Sequence, residues 1–185
     1  KEFVRLKKGG WYQTIKNKIY GPPAPAIQAG KESEKIIVFN DDDEVLDYKM
    51  AACCNAIPGD LIFGFLTVVD GIKVHRSDCP NAIQLRSNYA YRVLKSKWIS
   101  KTEINFVAAI NIKGIDSLGL MNKVTQIISN QMNVNIKSIN ITSDDGVFDG
   151  IITLKVRNVS FLKELTAKLK KIKAITSITR TYKHN

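Results

Sequence analysis

The sequence predicts an α+β protein of two consecutive modules, a small cysteine-rich β-hairpin module followed by a larger βαββαβ sandwich. Two observations support this prediction. All three cysteines and one of the two histidines fall within residues 53–79, around short runs that have the composition of strands. From residue 103 onward, the apolar residues switch repeatedly between the period of a strand and that of a helix. A chain of 185 residues has room for two such domains.

The first part of the chain is predicted to be a linker or the end of a preceding region. Gly21-Pro22-Pro23-Ala24-Pro25 excludes regular structure there. The chain starts at Lys1 without a secretory pattern, which indicates a piece cut from a longer polypeptide. We therefore place the linker at residues 1–35, the cysteine-rich module at 36–100 and the sandwich at 101–185.

The stretch that separates the cysteines is predicted to fold as a β-hairpin. Residues 61–69 and 72–74 have strand composition, and Asp70-Gly71 between them is typical of a type I′ turn. Because a hairpin folds the chain back on itself, it carries His75 and Cys79 toward the two adjacent cysteines. A short helix is predicted from Pro80 to Leu85, with Ser77 or Asp78 as its cap.

Two interpretations of this cysteine cluster remain open. Thiolate and imidazole are zinc ligands, and four of them complete a tetrahedral structural site. Adjacent cysteines on a strand point to opposite faces, so they share an ion only if the backbone turns between them. The alternative is three buried thiols that act as small hydrophobes, whereas a disulfide framework is disfavoured by the odd cysteine count. The four candidate metal ligands are Cys53, Cys54, His75 and Cys79.

The basic excess rises along the chain. The formal net charge is +11, of which the first 50 residues contribute +1, residues 51–103 contribute +3 and residues 104–185 contribute +7. Such a surplus attracts polyanions, although lysines on a helix are also found on merely solvated faces. Aromatic residues among arginines suit unpaired bases, but they could equally be core residues of a connecting strand. The aromatic residues are Tyr89, Tyr91 and Trp98, and the candidate RNA-binding residues are Arg86, Arg92, Lys163, Lys170, Lys171 and Lys173.

The second module is predicted from its periodicity. Alternation from Ile104 to Ile112 predicts a strand, and helical spacing from Leu120 to Ile128 predicts a helix that Asp116 or Ser117 caps. A phase shift at Ser138 predicts a bulge in the next strand. The order βαββαβ is that of a ferredoxin-like sandwich. The remaining elements are a hairpin turn at 143–146, a strand at 147–156, a helix from Ser160 to Ile172 and a strand from Ile175 to Tyr182.

The loop at residues 114–121 is the candidate ligand site of this module. Exposed N–H groups at a helix start can hold a carboxylate, and Gly119 has no side chain to obstruct a close approach. The alternative is that Asp116 only caps the helix and Gly119 only permits tight packing. A phosphate-binding P-loop is excluded, because Leu120-Met121 stands where Lys-Ser/Thr is required.

Catalysis is not predicted for this chain. A nucleophile needs a base within hydrogen-bond reach, and the only histidines are His75, inside the cysteine cluster, and His184, near the end of the chain. Cys54 with His75 is the one conceivable couple, but no residue nearby offers a third orienting group. We therefore expect a sensing or binding role.

The motifs resemble those of a known family. The run from Ala51 to Asp60, with Gly64-Phe65 and the segment from Gly71 to Asn81, closely resembles the conserved-cysteine or zinc-finger-like domain of RelA/SpoT homologues. These enzymes make and degrade the alarmone (p)ppGpp. One departure is Ala56, where many members have Pro. An ACT domain follows directly in that family, so the resemblance covers residues 36 to 182.

The resemblance implies the regulatory part of a (p)ppGpp synthetase/hydrolase (GTP pyrophosphokinase), without its catalytic domains. It implies contact with ribosomal RNA and tRNA, a cytoplasmic location and two separately folded modules in tandem, and no apolar run is long enough to cross a membrane. An alternative is an amino-acid-binding oligomerisation module without RNA contact, and another is a free-standing zinc-dependent nucleic-acid binder. By resemblance, a small branched-chain amino acid would bind between ACT units at Asp116, Gly119 and Leu120.

Overall fold

The computed structural model describes residues 36–99 and 104–181, so the predicted linker at 1–35 lies outside the described residues. Within residues 36–99, five strands form one sheet in the order β1-β5-β3-β4-β2. The pair β2–β4 is parallel and the other pairs are antiparallel. The strands are β1 (Ile37–Phe39), β2 (Tyr48–Met50), β3 (Ile62–Leu66), β4 (Ile72–Arg76) and β5 (Val93–Trp98), with helix α1 (Pro80–Asn88) and a 3₁₀ turn (Ala90–Arg92) between β4 and β5.

The predicted hairpin is formed by β3 and β4, but its turn differs from the prediction. The Thr67 amide donates to the Gly71 carbonyl at 2.8 Å, so the loop has three residues, Val68 to Asp70. A type I′ turn needs two positive φ angles, and here only Gly71 has one. The Thr67 hydroxyl donates to the Gly71 carbonyl and accepts from the Asp70 amide. These side-chain bonds favour the longer loop.

The second module has the predicted order of elements. Its four strands, all antiparallel, lie in the order β7-β8-β6-β9, which is that of a ferredoxin-like βαββαβ fold. The predicted bulge is confirmed by a register shift between Ile136 and Ser138. Asp145-Gly146 has two positive φ angles, as a type I′ hairpin requires. The elements are β6 (Phe106–Ile115), α2 (Leu120–Thr125) continued by a π-helical segment (Gln126–Gln131), β7 (Asn135–Asp144), β8 (Val147–Val156), α3 (Val159–Leu169) and β9 (Ile175–Thr181).

The predicted side-chain caps of two helices are wrong. Helix α2 follows Gly119 without a side-chain cap, because the Asp116 carboxylate accepts instead from the Ser143 hydroxyl at 2.5 Å. Helix α1 likewise follows Cys79 without one, since the Asp78 carboxylate pairs with Arg76 rather than reaching the helix. In both cases the aspartate carboxylate bonds to another side chain instead of to a backbone amide of the first helical turn.

Each sheet has its own apolar interior. The second module buries one contiguous cluster between its sheet and its two helices, and the first module has two smaller clusters, one of which contains Cys54 and Cys79. Two apolar side chains cross between the modules. Ile57, from the loop after the adjacent cysteines, belongs to the cluster of the second module and is fully buried. Phe106 of the second module packs against clusters of both. The structure holds no helix, among those it describes, with the length and apolarity that a membrane span needs.

Candidate functional site

The adjacent cysteines lie on a tight turn rather than on a strand. The amides of Cys54 and Asn55 both donate to the Ala51 carbonyl, at 3.3 and 3.0 Å. Asn55 has a φ of +40°, in the left-handed region that asparagine tolerates better than most residues. Because the chain turns here, Cys53 and Cys54 both approach the end of β4, which removes the geometric objection to their sharing one ion.

The β3–β4 hairpin brings the other two candidates to this turn. The Cys53 Sγ lies 3.4 Å from the His75 Nδ1 and 3.6 Å from the Cys79 Sγ. The Cys54 Sγ lies 3.9 Å from the same His75 nitrogen. All four ligand atoms lie within 4.8 Å of one another.

These separations fit a tetrahedral ion. Zinc binds thiolate sulfur at about 2.3 Å and imidazole nitrogen at about 2.0–2.1 Å, so neighbouring ligand atoms of a tetrahedral site lie about 3.5–3.8 Å apart. The three contacts from Cys53 and Cys54 bracket this range. Three thiols and one imidazole also form the donor set of a closed structural site. The cluster could therefore hold a metal ion with only small movements of its side chains.

Burial sets the protonation of the cluster. It raises the pKa of the Cys54 thiol to about 12. Burial, and then the hydrogen bond with Cys79, raise the pKa of the Cys53 thiol. Burial, assisted by the positive charge of Lys73, lowers the pKa of His75. The imidazole is thus held neutral, as a metal ligand must be, and a metal would release protons from the thiols.

A further layer of contacts orients the candidate ligands. The Arg76 amide donates to the Cys54 Sγ at 3.3 Å. The Phe63 ring stacks on the His75 ring with 5.6 Å between centroids. The Arg86 guanidinium lies over the Phe63 ring, 5.2 Å from its centroid. Arg86, a candidate RNA-binding residue, therefore also covers the ring that positions His75.

An exposed group of aromatic and basic residues follows α1. The Arg92 guanidinium lies 5.5 Å from the Tyr89 ring centroid and 5.4 Å from that of Tyr91. The Tyr91 side chain is 62% exposed and that of Tyr89 is 44% exposed. Trp98 has a different role, because its ring meets Phe106 of the second module and its Nε1 donates to the Asp60 carbonyl.

The predicted basic residues of the second module do not form one group. Lys163 and Lys170 are exposed on α3 and at its end. Lys171 and Lys173 instead line a cavity of about 500 Å³ that also takes in Lys123 of α2.

The candidate ligand loop is open to solvent. Gly119 has a φ of +76°, and no protein atom in the described residues lies within 4 Å of the position that its Cβ would occupy. Leu118 beside it is fully exposed, whereas Leu120 is buried against the helix layer. Asp116 faces Ser143 at the start of the β7–β8 turn. Of the three candidate ligand residues, only Gly119 and Asp116 present accessible groups.

Sequence reasoning missed the junction between the modules. The loop from Asn55 to Asp60 lies on the second module, where the Pro58 carbonyl accepts from the Val159 amide at 2.9 Å. A Cβ at Gly59 would lie 3.3 Å from the Cβ of Val159, and its φ of +95° also favours glycine.

Asp60 links basic residues of both modules. Its Oδ1 lies 2.7 Å from the Arg180 Nη1 and 3.8 Å from the Arg76 Nε. Its Oδ2 accepts from the Ile57 amide, and the Arg180 Nη2 donates to the Asn55 carbonyl. The only sequence signal was the Pro-Gly-Asp run, which was interpreted as part of the cysteine motif.

Comparison with known proteins identifies both modules. Residues 37–99 match the RelA/SpoT RIS domain and residues 102–180 match the ACT domain. The chain is 32% identical over 133 residues to the bifunctional (p)ppGpp synthase/hydrolase RelA of Mycobacterium tuberculosis, which covers 71% of this chain and 18% of that protein. It is 35% identical over 136 residues to the GTP pyrophosphokinase of Streptomyces coelicolor, which covers 73% of this chain and 16% of that protein.

A solved structure is also similar to the second module. The crystal structure of the ACT domain from the GTP pyrophosphokinase of Chlorobium tepidum is 33% identical in sequence, covers 41% of this chain and 97% of that chain, and has a TM-score of 0.38. The chain spans less than a fifth of the length of the two curated relatives, at 18% and 16%.

Proposed function

Since the chain belongs to the RelA/SpoT family as a C-terminal regulatory region with RIS and ACT domains, we propose that it senses the state of the ribosome. In this proposal the region contacts ribosomal RNA and tRNA in the cytoplasm. It then controls catalytic domains elsewhere in a parent GTP pyrophosphokinase and (p)ppGpp hydrolase. The chain itself contributes no catalytic residue to that activity.

One observation carries the RNA part of this proposal. The Arg92 guanidinium lies 5.5 and 5.4 Å from the centroids of two exposed tyrosine rings, Tyr89 and Tyr91, directly after the helix that starts at the cysteine cluster. Aromatic faces and a planar cation are the groups on which unpaired bases stack, at about 1–3 kcal/mol per base. Arg86 lies one to two helical turns earlier in the chain, and Lys163 and Lys170, exposed on the ACT domain, are proposed as further phosphate contacts. The RIS face is therefore proposed to bind unpaired ribosomal RNA or tRNA bases.

Zinc has a structural role in this proposal. Cys53, Cys54, His75 and Cys79 would hold it as the four ligands, and the bound ion would supply folding free energy to the RIS domain. The turn at the adjacent cysteines and the start of α1 are then fixed to the same point. The helix that leads to the stacking residues starts at that point, so loss of zinc would also displace these residues.

Ribosome binding tests the proposal. The purified chain is sedimented with ribosomes at several salt concentrations, as wild type and as Tyr91→Ala and Arg92→Ala. Each variant is expected to bind roughly tenfold more weakly, since one stacking contact is lost. The matched control is Ile83→Ala, which removes a 73% exposed side chain of α1 that has neither a ring nor a charge. Equal binding by Tyr91→Ala and the control would contradict the proposed RNA face.

The exposed lysines of the ACT domain are tested in the same assay. Lys163→Glu combined with Lys170→Glu is expected to weaken binding and to flatten its salt dependence, because each lost phosphate contact lowers the number of released counterions. An unchanged salt slope would remove these two lysines from the interface.

The open loop at Gly119 favours a second candidate function. The free space around this residue and the accessible Asp116 carboxylate leave room for a small amino acid. Backbone N–H groups at the start of α2 would bind its carboxylate and Asp116 its ammonium group. A second copy of the ACT domain would close the site, which makes a homo-oligomer part of this candidate.

Titration of the chain with valine, leucine and isoleucine tests this second function. Chemical-shift changes are expected at the Gly119 amide, and Gly119→Val is expected to abolish them because it fills the space beside the helix start. Alanine at the same concentration is the matched control for the branched side chain. Absence of shifts with all three branched amino acids would exclude the loop as their site.

A further inference from the structure

The cavity between helix α2, with its π-helical continuation, and the turn that follows α3 has the features of a small-ligand site. Its volume of about 500 Å³ falls within the range of about 300–1,000 Å³ that is typical of such sites. It is distinct from the open face of Gly119, which does not line it, and from the exposed Lys163 and Lys170. The loop residues Ser117 and Leu120 form one edge of the cavity.

Three lysines from two separate elements line this cavity. Lys123 belongs to α2, and Lys171 and Lys173 belong to the turn between α3 and β9. None of the cavity's lining residues, all within the described part of the chain, carries a carboxylate. Nor does any of the three lysines form an ion pair with a described residue. Like charges around one concave space raise the local concentration of anions.

The π-helical segment forms one wall of the cavity. Gln126, Ile127 and Gln131 all line it. In an α-helix, residues five apart point about 140° away from each other, whereas i→i+5 winding places them side by side. The Met132 amide donates to the Ile127 carbonyl at 3.0 Å, which is such an i→i+5 bond. The segment thus turns both glutamine amides to the same side, and π-helical segments are frequent at functional sites.

The opposite wall is apolar and firmly supported. Ile172 and Ala174 line it, and Leu120 continues it at the loop. The Ala174 carbonyl accepts from the Ile115 amide at 2.8 Å, so the lysine-bearing turn is fixed to the end of β6. A ligand for this space needs several negative charges at one end and a body that packs against apolar groups. An amino acid zwitterion has only one carboxylate, which does not balance three ammonium groups.

We propose that this cavity binds a nucleotide-sized phosphate ester, with its phosphates paired to Lys123, Lys171 and Lys173 and its body against Leu120, Ile127 and Ile172. The two glutamine amides offer donors and acceptors to a nucleobase. Such a ligand would bridge α2 and the α3–β9 turn, two elements that meet at the candidate amino-acid loop. The proposal does not depend on ribosome binding or on zinc.

Calorimetric titration of the purified chain with GTP, ATP and inorganic triphosphate tests the proposal. At least one nucleotide is expected to bind, and triphosphate is expected to bind at least about tenfold more weakly because it lacks a body for the apolar wall. Lys123→Ala and Lys173→Ala are each expected to weaken nucleotide binding about tenfold, the effect of one charge-assisted bond. Lys137→Ala, at an exposed lysine of β7 that does not line the cavity, is the matched control and is expected to bind as wild type.

Three outcomes would overturn the proposal. The first is absence of binding by either nucleotide. The second is equal binding of triphosphate and nucleotide, or equal weakening by Lys137→Ala, because both indicate nonspecific attraction of charge. The third is binding of a short single-stranded RNA that the nucleotides do not displace, which would assign the phosphate contacts to RNA. Ribosome sedimentation of Lys123→Ala distinguishes failure of this proposal from failure of the proposed function. Lys123 has no part in the proposed RNA face, so this variant is expected to bind ribosomes as the wild type does even if the cavity binds no nucleotide.

Discussion

The RIS and ACT domains of this chain are of similar size but are stabilised in different ways. The ACT domain has one contiguous apolar cluster between a sheet and two helices. The RIS domain divides its interior into two smaller clusters, and the second consists largely of the cysteines, Phe63 and Phe65. A domain of about 60 residues buries little apolar surface and often needs a metal or another crosslink. The smaller apolar clusters of the RIS domain therefore favour the structural role proposed for a metal ion at its cysteines.

The junction between the domains modifies this comparison. Ile57 lies only three residues after Cys54, yet its side chain is buried in the ACT cluster. The Pro58 carbonyl and the Asp60 carboxylate bind the start of α3 and Arg180 of β9. The turn that holds the proposed metal is therefore continuous with a loop that completes the ACT core. Through these few residues, the free energy of unfolding of one domain is expected to depend on the folding of the other.

Loss of the metal centre is expected to have the largest effect and to divide the two domains. Cys79→Ala, or treatment with a strong zinc chelator, should unfold the RIS domain, because structural zinc contributes about 10 kcal/mol or more to small zinc domains. The sheet β7-β8-β6-β9 should remain folded. Hydrogen exchange followed by residue measures this difference, with Ser77→Ala as the control beside the cluster. Full protection of β3 and β4 after chelation would show that apolar packing alone holds the RIS domain.

Truncation of Ile57, a residue of the RIS domain, is expected to destabilise mainly the ACT domain. Ile57→Ala should lower the free energy of unfolding by up to about 5 kcal/mol, the range for a fully buried isoleucine. The loss should appear as faster hydrogen exchange in β6 and α3 of the ACT domain, where the side chain packs. Ile83→Ala, on the RIS surface, should change stability by less than about 0.5 kcal/mol. A loss confined to β3 and β4 would show that Ile57 serves only its own domain.

Removal of the Asp60 charge is expected to weaken the junction from both sides. Asp60→Asn should cost about 3 kcal/mol, the lower end of the range for a broken buried ion pair, because Arg180 then loses its carboxylate partner and Arg76 keeps only that of the exposed Asp78. The asparagine oxygen can still accept from the Ile57 amide, so the local turn is retained. Urea unfolding measures the loss. Arg180→Met combined with Asp60→Asn should lose less than the sum of the two single variants, whereas additive losses would contradict a shared ion pair.

Composition and periodicity predicted those features that depend on neighbouring residues. The cysteine cluster, the β3–β4 hairpin and the order of the ACT elements all follow from local strand, helix and turn patterns. The parallel pairing of β2 with β4 did not, because Tyr48-Lys49-Met50 has no clear alternation. The burial of Ile57 was not predicted either, because a single apolar residue before Pro58-Gly59 forms no periodic pattern. The ion pair of Asp60 with Arg180 joins residues 120 positions apart, for which no local pattern exists.

The π-helical segment was missed for a related reason. The apolar residues Val124 of α2 and Ile127 and Ile128 of the π-helical segment keep the spacing of an ordinary helix face. The pattern therefore predicts the helix but not the change in winding. The convergence of Lys123 with Lys171 and Lys173 depends on that winding and on the turn after α3. Such a cavity is visible only in three dimensions.

The smallest expected effect comes from an aspartate-to-asparagine substitution, as at Asp60, but at an exposed ion pair. Asp149 of β8 accepts a hydrogen bond from Asn111 and pairs with Lys113 at 2.6 Å, but both charged side chains are about half exposed. Asp149→Asn should therefore cost less than about 1 kcal/mol, as for other surface ion pairs. The Lys113 ammonium lowers the pKa of Asp149, so its contribution is complete above the ordinary aspartate pKa of about 4 and is lost as the pH falls through the lowered value. Urea unfolding of Asp149→Asn and Asp60→Asn at neutral pH, at low and at high salt, compares the two losses of unfolding free energy. If the loss for Asp149→Asn were as large and as insensitive to salt as that for Asp60→Asn, burial would not be what distinguishes the junction.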